Sequence, residues 1–130
     1  MKLLKSKKGS VAVEMALFSP FMFLLTFTIF EVGTACYYKQ LLVNASREGA
    51  RYGSIESDIT STDVENYVLD VLERNGFNKA ASIEISGINE SRGSLVSVRI
   101  SYAYQFSVLK SLISSLSDIT LSSSTVMRHE

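Results

Sequence analysis

A run of apolar residues near the N-terminus limits what this chain can fold into. Residues 11–30, VAVEMALFSPFMFLLTFTIF, contain one charged side chain, that of Glu14. A helix rises about 1.5 Å per residue, so a helix of this length spans roughly 30 Å, the thickness of the hydrocarbon core of a bilayer. The run therefore predicts a membrane-spanning helix, and a chain of 130 residues leaves room for one small domain besides it.

The residues on either side of the apolar run predict its orientation and fate. Basic residues favour the cytoplasmic side of a membrane, and four lysines precede the run: Lys2, Lys5, Lys7 and Lys8. We therefore expect a cytoplasmic N-terminus, Tyr37 and Tyr38 near the outer interface, and an outward-facing chain beyond about Gly33. No small-x-small cleavage site of a secretory signal follows the run, so the segment is expected to stay attached to the mature chain.

Glu14 is the most informative residue of the chain. A carboxylate one turn inside an apolar segment is costly, so it must be protonated, reach the headgroups, or find a cationic partner. If the chain is cut between Gly9 and Ser10, a new amino group appears one helical turn before Glu14. That ammonium, on the same chain or on a neighbour, could neutralise the acid. Snorkelling of the side chain to the headgroups is the alternative.

Pro20 interrupts the hydrogen-bonding capacity of the predicted helix. It has no backbone N–H, so we expect a kink or a loosened turn around Phe18 and Ser19. The functional alternative is a weak point that lets the helix bend or stretch when it is packed among other helices.

The sequence around these residues resembles the class III signal of type IV pilins and pseudopilins. Residues 7–14, KKGSVAVE, have a basic leader, a glycine before the cut and a glutamate as the fifth mature residue. More narrowly, the chain resembles TadE-like proteins, which are minor pilins or pseudopilins of the tight-adherence (Tad) secretion and pilus machinery. The segments that carry this resemblance are GSVAVE at 9–14, FEVG at 30–33, NASREGARYG at 44–53 and the terminal residues 120–128.

The resemblance implies a processing and assembly role. A prepilin peptidase would remove residues 1–9, with Gly9 positioning the cut and Ser10 supplying the new amino terminus. Glu14 would pair with a neighbour's terminus, and Pro20 would act in assembly. Met15 stands where major pilins of this subclass usually have a tyrosine, and such major pilins are much shorter. Both departures favour a minor subunit over the main fibre subunit.

The resemblance also implies partners and a location. The partners would be other pilin and minor pilin subunits, the prepilin peptidase, the inner-membrane assembly platform and membrane lipid. The protein would be a single-pass membrane protein of a bacterium, with its N-terminus in the cytoplasm and its C-terminal domain outside. From there it would pass into an extracellular pilus that serves adhesion or secretion.

Beyond the membrane, the sequence predicts an α+β fold in which the long helix continues into a small domain with a short helix and an antiparallel sheet. Residues 62–65, TDVE, read as the capping box of the short helix, which should end at Asn75 and Gly76. Alternation at 82–88 and 96–106 predicts a hairpin with its tip at 89–94. Residues 108–116 suit helix or loop, and 119–126 suit an edge strand.

These patterns divide the chain into four predicted parts. Residues 1–9 are a cytoplasmic leader, 10–33 a transmembrane and assembly helix, 34–54 its extramembrane continuation, and 55–130 the small periplasmic or extracellular domain.

Small residues recur every fourth position in the extramembrane part of the helix, at Ala45, Gly49 and Gly53. Such a strip lets another helix or a sheet approach closely. Arg47 and Arg51 share a neighbouring face. For these five residues two alternatives remain, namely simple packing and solvation, or contact with a partner subunit or the assembly platform.

The sequence offers no constellation for catalysis, a metal or a cofactor, so we expect no enzyme and no small-molecule substrate. His129, the only histidine, is the penultimate residue. Cys36, the only cysteine, is expected to pack as a small apolar residue, with an intermolecular disulfide as the alternative. The 13 basic and 13 acidic residues balance, which leaves no basic surface for nucleic acid.

Competing interpretations make different demands on Gly9 and Glu14. An uncleaved, signal-anchored periplasmic binding or sensor protein needs neither residue, whereas a pilin-like subunit needs both. A pseudopilin of a general secretion system is the runner-up within the pilin interpretation. A membrane-tethered enzyme has no catalytic residues to support it.

Overall fold

The computed structural model describes residues 7–55, 58–88, 93–112 and 118–129. Most of the predicted leader, the centre of the predicted hairpin tip and residues 113–117 lie outside this described part. The elements in chain order are α1 (Lys7–Ile55), α2 (Ser61–Arg74), β1 (Ser82–Ser86), β2 (Leu95–Tyr104), α3 (Val108–Leu112) and β3 (Ile119–Arg128). The predicted α+β, pilin-like fold is confirmed, with a long apolar N-terminal helix, a short helix and a three-stranded antiparallel sheet.

Helix α1 is a single element of 49 residues that continues through Pro20 without a break. At about 1.5 Å per residue it is roughly 73 Å long. Its threonines do not add unpaired hydroxyls to the apolar run, because each donates to the carbonyl oxygen four residues earlier. The three bonds, all 2.8 Å long, join Thr26 to Met22, Thr28 to Leu24, and Thr34 to Phe30.

Helix α2 begins with a reciprocal capping box. The hydroxyl of Thr60 accepts a hydrogen bond from the backbone N–H of Asp63, and the Asp63 carboxylate accepts one of 2.8 Å from the backbone N–H of Thr60. The predicted box at Thr62 is therefore wrong by two residues. Asp63 lies three residues after Thr60, which is the spacing that such a box requires. The predicted end is confirmed, because Asn75 is the C-terminal cap.

The sheet has the order β1-β2-β3, with both neighbouring pairs antiparallel. Val98 in β2 pairs with Ile85 in β1 and with Thr125 in β3, so the long strand lies at the centre. The predicted hairpin and edge strand are confirmed. Strand β2 ends at Tyr104, two residues before the predicted end, and the chain then leads into α3.

The core lies between one face of the sheet and the two longer helices. Alternation along β2 buries Val96, Val98, Ile100 and Tyr104, and helical spacing in α2 buries Val64, Val68, Val71 and Leu72. Among the fully buried side chains are Leu42, Val64, Val68, Val98 and Ile100. The small domain is therefore built around the second half of α1, and the first half projects from it.

Candidate functional site

The projecting half of α1 is an exposed apolar surface. Within residues 11–30 large side chains are open to the surroundings, for example Phe18 at 63% and Phe23 at 62% exposure. In the described part of the chain, one helix is long and apolar enough to cross a membrane, and it is this one. An apolar surface of this size requires lipid or protein to cover it. The helix fits a single-pass membrane protein.

The residues predicted for processing and pairing lie in the first turns of α1. Gly9 and Ser10 are exposed, and a side chain at Gly9 would meet no atom within 4 Å. Glu14 is also exposed, one turn after Ser10. Among the residues that the structure describes, none forms a hydrogen bond or an ion pair with the Glu14 carboxylate. Pro20 is exposed on the same half of the helix. Cleavage and pairing with a neighbour remain predictions.

The strip of small residues lies in the C-terminal half of α1 and faces the chain's own domain. Ala45 is 1% exposed, and Gly49 and Gly53 are buried. A Cβ added at Gly49 would collide with a methyl group of Val68, and one added at Gly53 would lie 3.1 Å from a methyl group of Val96. In the single chain, α2 and β2 occupy the strip.

The two arginines predicted beside this strip remain on the solvent side. Arg47 and Arg51 are both exposed. Arg51 lines a shallow cleft with Tyr52 and Tyr67, whose rings stack at a centroid distance of 4.5 Å. The geometry leaves both guanidinium groups accessible, so their contact with a partner remains a prediction.

Glu31 joins the membrane-facing half of α1 to the domain. Its carboxylate accepts hydrogen bonds from three consecutive backbone N–H groups, those of Ser107 and Val108 at 2.6 Å and of Leu109 at 3.1 Å. Side chains on a helix lean toward its N-terminus, so this carboxylate reaches back along the apolar run. The sequence showed Glu31 as a charged residue directly after an apolar run, but it gave no sign of this contact.

An aromatic cluster fills the base of the domain beside Glu31. The rings of Tyr38, Phe77 and Tyr102 pack edge to face, with centroids 5.2 to 6.0 Å apart. The hydroxyl of Tyr104 donates a 3.2 Å hydrogen bond to the backbone carbonyl of Glu31. Burial raises the pKa of Tyr104, and the neighbouring negative charge of Glu31 raises it further. The cluster holds α1 and β2 together at the point where the helix enters the domain.

A buried hydroxyl cluster joins α1 to the edge strand. The Ser46 hydroxyl lies 2.9 Å from the hydroxyl oxygens of both Ser123 and Thr125, and it donates to the carbonyl of Val43 at 3.0 Å. Ser46 has no exposed surface. Sequence reasoning missed this cluster, because serine and threonine are common throughout the chain and their spacing carried no signal.

Cys36 is exposed, so its predicted packing is wrong for the single chain. The helix face that carries it looks into an open, mostly apolar groove of about 640 Å³ between α1 and β3. The groove lies just above Glu31, and its apolar lining includes Val32, Ala35, Phe106, Ile119 and Leu121. Cys36 and β3 line the two sides of this groove, and because the groove is open, the thiol remains exposed.

Comparison with known proteins relates part of α1 to a protein family. Residues 9–51 match a family model, that of the TadE-like protein family. The match begins at the predicted cleavage site and ends within α1, before α2 and the sheet. No curated protein matches this chain. No solved structure matches it either.

Proposed function

We propose that the protein is a minor pilin or pseudopilin of a Tad-type pilus, cleaved by a prepilin peptidase, because residues 9–51 match the model of the TadE-like protein family. The family implies association with Tad pilus components and is in general non-enzymatic. The observation that carries the proposal lies in α1, where an accessible Gly9-Ser10 bond and Glu14 adjoin a bare apolar surface.

Cleavage changes the charge at the start of this surface. Hydrolysis of the peptide bond between Gly9 and Ser10 adds one water, leaving a carboxylate on the released leader and an ammonium on Ser10. The ammonium lies four residues before Glu14, a rise of about 6 Å along the helix. The positive terminus of one subunit can then neutralise the Glu14 carboxylate of a neighbour, which favours lateral association within the apolar phase.

The apolar run supplies the remaining assembly surface. Lipid covers residues 11–30 while the subunit is in the membrane, and the equivalent helices of other subunits cover them in a fibre. Pro20 lies within this surface and leaves one helical carbonyl without its usual donor, which makes bending easier on transfer. Arg47 and Arg51 provide an exposed cationic face above the membrane for contact with other subunits or the platform.

The decisive experiment is intact-mass analysis of the protein from membranes with and without a prepilin peptidase. We expect the peptidase to remove residues 1–9 from the wild type, and Gly9→Ala to prevent the cut. Gly33→Ala is the matched control, because Gly33 lies in the same helix and a side chain there would also meet no atom within 4 Å. A mature chain that still begins at Met1 would overturn the proposal.

The second candidate function is that of an uncleaved, signal-anchored binding or sensor protein. The open groove between α1 and β3 favours it, because its apolar lining could hold a small apolar group. The same mass measurement separates the two functions, since an anchored protein keeps its leader with or without the peptidase.

A further inference from the structure

We infer that the α3 segment, defined as residues 106–112, lies in the outer leaflet of the membrane and makes lipid the direct partner of the outward domain. The inference rests on the proposed membrane insertion of α1. It adds a second, separate contact with the bilayer, made by a segment that is distant from the apolar run in sequence.

The first observation is the depth of Val108. It lines an apolar depression together with Pro20, Phe21, Leu24 and Phe27, all of which belong to the apolar run. Leu24 and Phe27 precede Glu31 by seven and four residues, which places them roughly 10 and 6 Å further into the membrane along the helix. Interfacial helices sink about 5 to 10 Å into the boundary between headgroups and acyl chains. Pro20 and Phe21 line the deeper part of the same depression, whereas the Val108 N–H bonds the Glu31 carboxylate at 2.6 Å. Val108 therefore lies at the shallow end of the depression, at the depth of an interfacial helix.

The second observation is how the start of α3 is paired. The first N–H groups of a helix have no partner within the helix, and in lipid they have no water either. The Glu31 carboxylate accepts those of Ser107, Val108 and Leu109. The same bonds give the carboxylate three donors at the membrane boundary. The carboxylate and the three N–H groups can therefore leave bulk water as one hydrogen-bonded unit. Their desolvation then costs much less free energy than it would if the carboxylate or the N–H groups were buried alone.

The third observation is the arrangement of side chains around α3. Phe106, Val108 and Leu109 are half-buried, so part of each remains available to lipid. Lys110 is exposed and forms a 2.8 Å ion pair with Asp118, so its charge is paired next to the apolar side chains of the segment. The ring of Phe106 packs against Tyr104 at a centroid distance of 5.2 Å, continuing the aromatic cluster down to this level. Aromatic side chains favour the membrane interface.

This arrangement has a mechanical consequence. A domain held by α1 alone could tilt and rotate relative to the membrane. Contacts through both α1 and the α3 segment define the domain's distance from the membrane and its orientation. When the subunit leaves the membrane for a fibre, α3 must leave the lipid as well. The pairing with Glu31 makes the two segments move together.

The chain contains no tryptophan, so single replacements report membrane depth without background. We would place Trp in α3 with Val108→Trp and Leu109→Trp, in the membrane span with Phe30→Trp, and on the outer face of the sheet with Ser124→Trp. Each full-length variant is placed in nanodiscs that hold one chain per disc and are bounded by a tryptophan-free scaffold protein. The lipids are phosphatidylcholine and phosphatidylglycerol with bromine near the top of the acyl chains. With one chain per disc, any quenching comes from lipid and not from a neighbouring subunit.

We expect both α3 probes to be quenched as strongly as Phe30→Trp, and Ser124→Trp to be unquenched. Quenching of Phe30→Trp without quenching of either α3 probe would overturn the inference and leave membrane insertion of α1 intact. An unquenched Phe30→Trp would overturn insertion itself, and the inference with it. Two α3 probes are used so that a local perturbation at one position does not decide the result.

A second arm tests the role of Glu31. Adding Glu31→Ala to the α3 probes should abolish their quenching while that of Phe30→Trp persists. Glu48→Ala, an exposed acidic residue further along the same helix, is the matched control and should change nothing. Undiminished quenching in the Glu31→Ala background would show that the carboxylate does not hold α3 in the membrane, and would overturn that part of the inference.

Discussion

Gly49 in α1 and Val68 in α2 lie so close together that no side chain fits between the two helices at this point. A Cβ added at Gly49 would collide with the Cγ2 methyl of Val68, and it would also lie 3.5 Å from a methyl group of Val98 in β2. Both valines have no exposed surface and cannot move aside into solvent. Helices α1 and α2 and the sheet therefore meet at a position that only glycine can occupy.

Replacing this glycine should destabilise the domain. We expect Gly49→Ala to lower the free energy of unfolding by roughly 1 to 3 kcal/mol, because overpacking of a close-packed core has that effect. Gly33→Ala is the control and should raise stability by up to about 1 kcal/mol, because alanine favours helix and the site is open. Urea unfolding of the detergent-solubilised chain, followed by tyrosine near-ultraviolet circular dichroism, measures both. Equal midpoints for Gly49→Ala and wild type would contradict the prediction.

Removing the buried hydroxyl of Ser46 should loosen the contact between α1 and β3. Ser46→Ala leaves the hydroxyls of Ser123 and Thr125 without this partner, and an unpaired buried polar group costs about 1 to 3 kcal/mol. The same unfolding measurement applies. Ser124→Ala, on the exposed face of the same strand, should leave the midpoint unchanged. A loss of stability in both variants would point to the strand backbone and not to the hydroxyl cluster.

The carboxylate of Glu31 should protect the backbone at the start of α3. We expect Glu31→Ala to speed hydrogen exchange of the amides of Ser107, Val108 and Leu109, since each loses its acceptor. Mass spectrometry of the chain in detergent measures this locally. Glu48→Ala should leave these amides as in the wild type. Unchanged exchange in Glu31→Ala would mean that other acceptors replace the carboxylate.

The capping box of α2 should make part of the domain's stability depend on pH. Hydrogen bonds from the side chain and backbone of Thr60 hold the pKa of Asp63 below its ordinary value of 3.8. A lowered folded pKa contributes stability that is present above the unfolded pKa and is lost as the pH falls through the folded pKa. The difference in unfolding temperature between wild type and Asp63→Asn should therefore shrink as the pH falls below 3.8. Glu65→Gln, an exposed substitution in the same helix, is the control for the loss of one carboxylate.

Glu14 should matter for assembly and not for cleavage. We expect the Glu14→Gln variant to lose its leader normally. Its amount in sheared pili should fall by more than about tenfold relative to wild type, because breaking a buried charge pair costs several kcal/mol. Quantitative mass spectrometry of the pilus and membrane fractions measures this. Glu48→Gln is the matched control on the same helix. Normal incorporation of Glu14→Gln would favour snorkelling of the side chain over pairing.

The sequence by itself determined the elements whose pattern is local. The apolar run marked the membrane-facing half of α1, and the absence of turn residues carried the helix to about Ser54, one residue before its observed end. Alternation in residues 96–106 marked β2, and the residues Asn75 and Gly76 marked the end of α2. Periodicity and caps act between near neighbours, so they can be read without knowing the fold. Even so, the choice between Thr60 and Thr62 as the cap required the observed backbone.

Only the tertiary structure decided the contacts between residues that are distant along the chain. Glu31 and Val108 are 77 positions apart, as are Ser46 and Ser123, and no local pattern links either pair. The same holds for the strip at Gly49, for which the sequence allowed an external partner and the fold supplied α2, and for Cys36, which the fold left exposed. Such contacts depend on how the sheet docks on α1. This docking depends on the packing of the whole core, so it cannot be predicted from any single segment of the sequence.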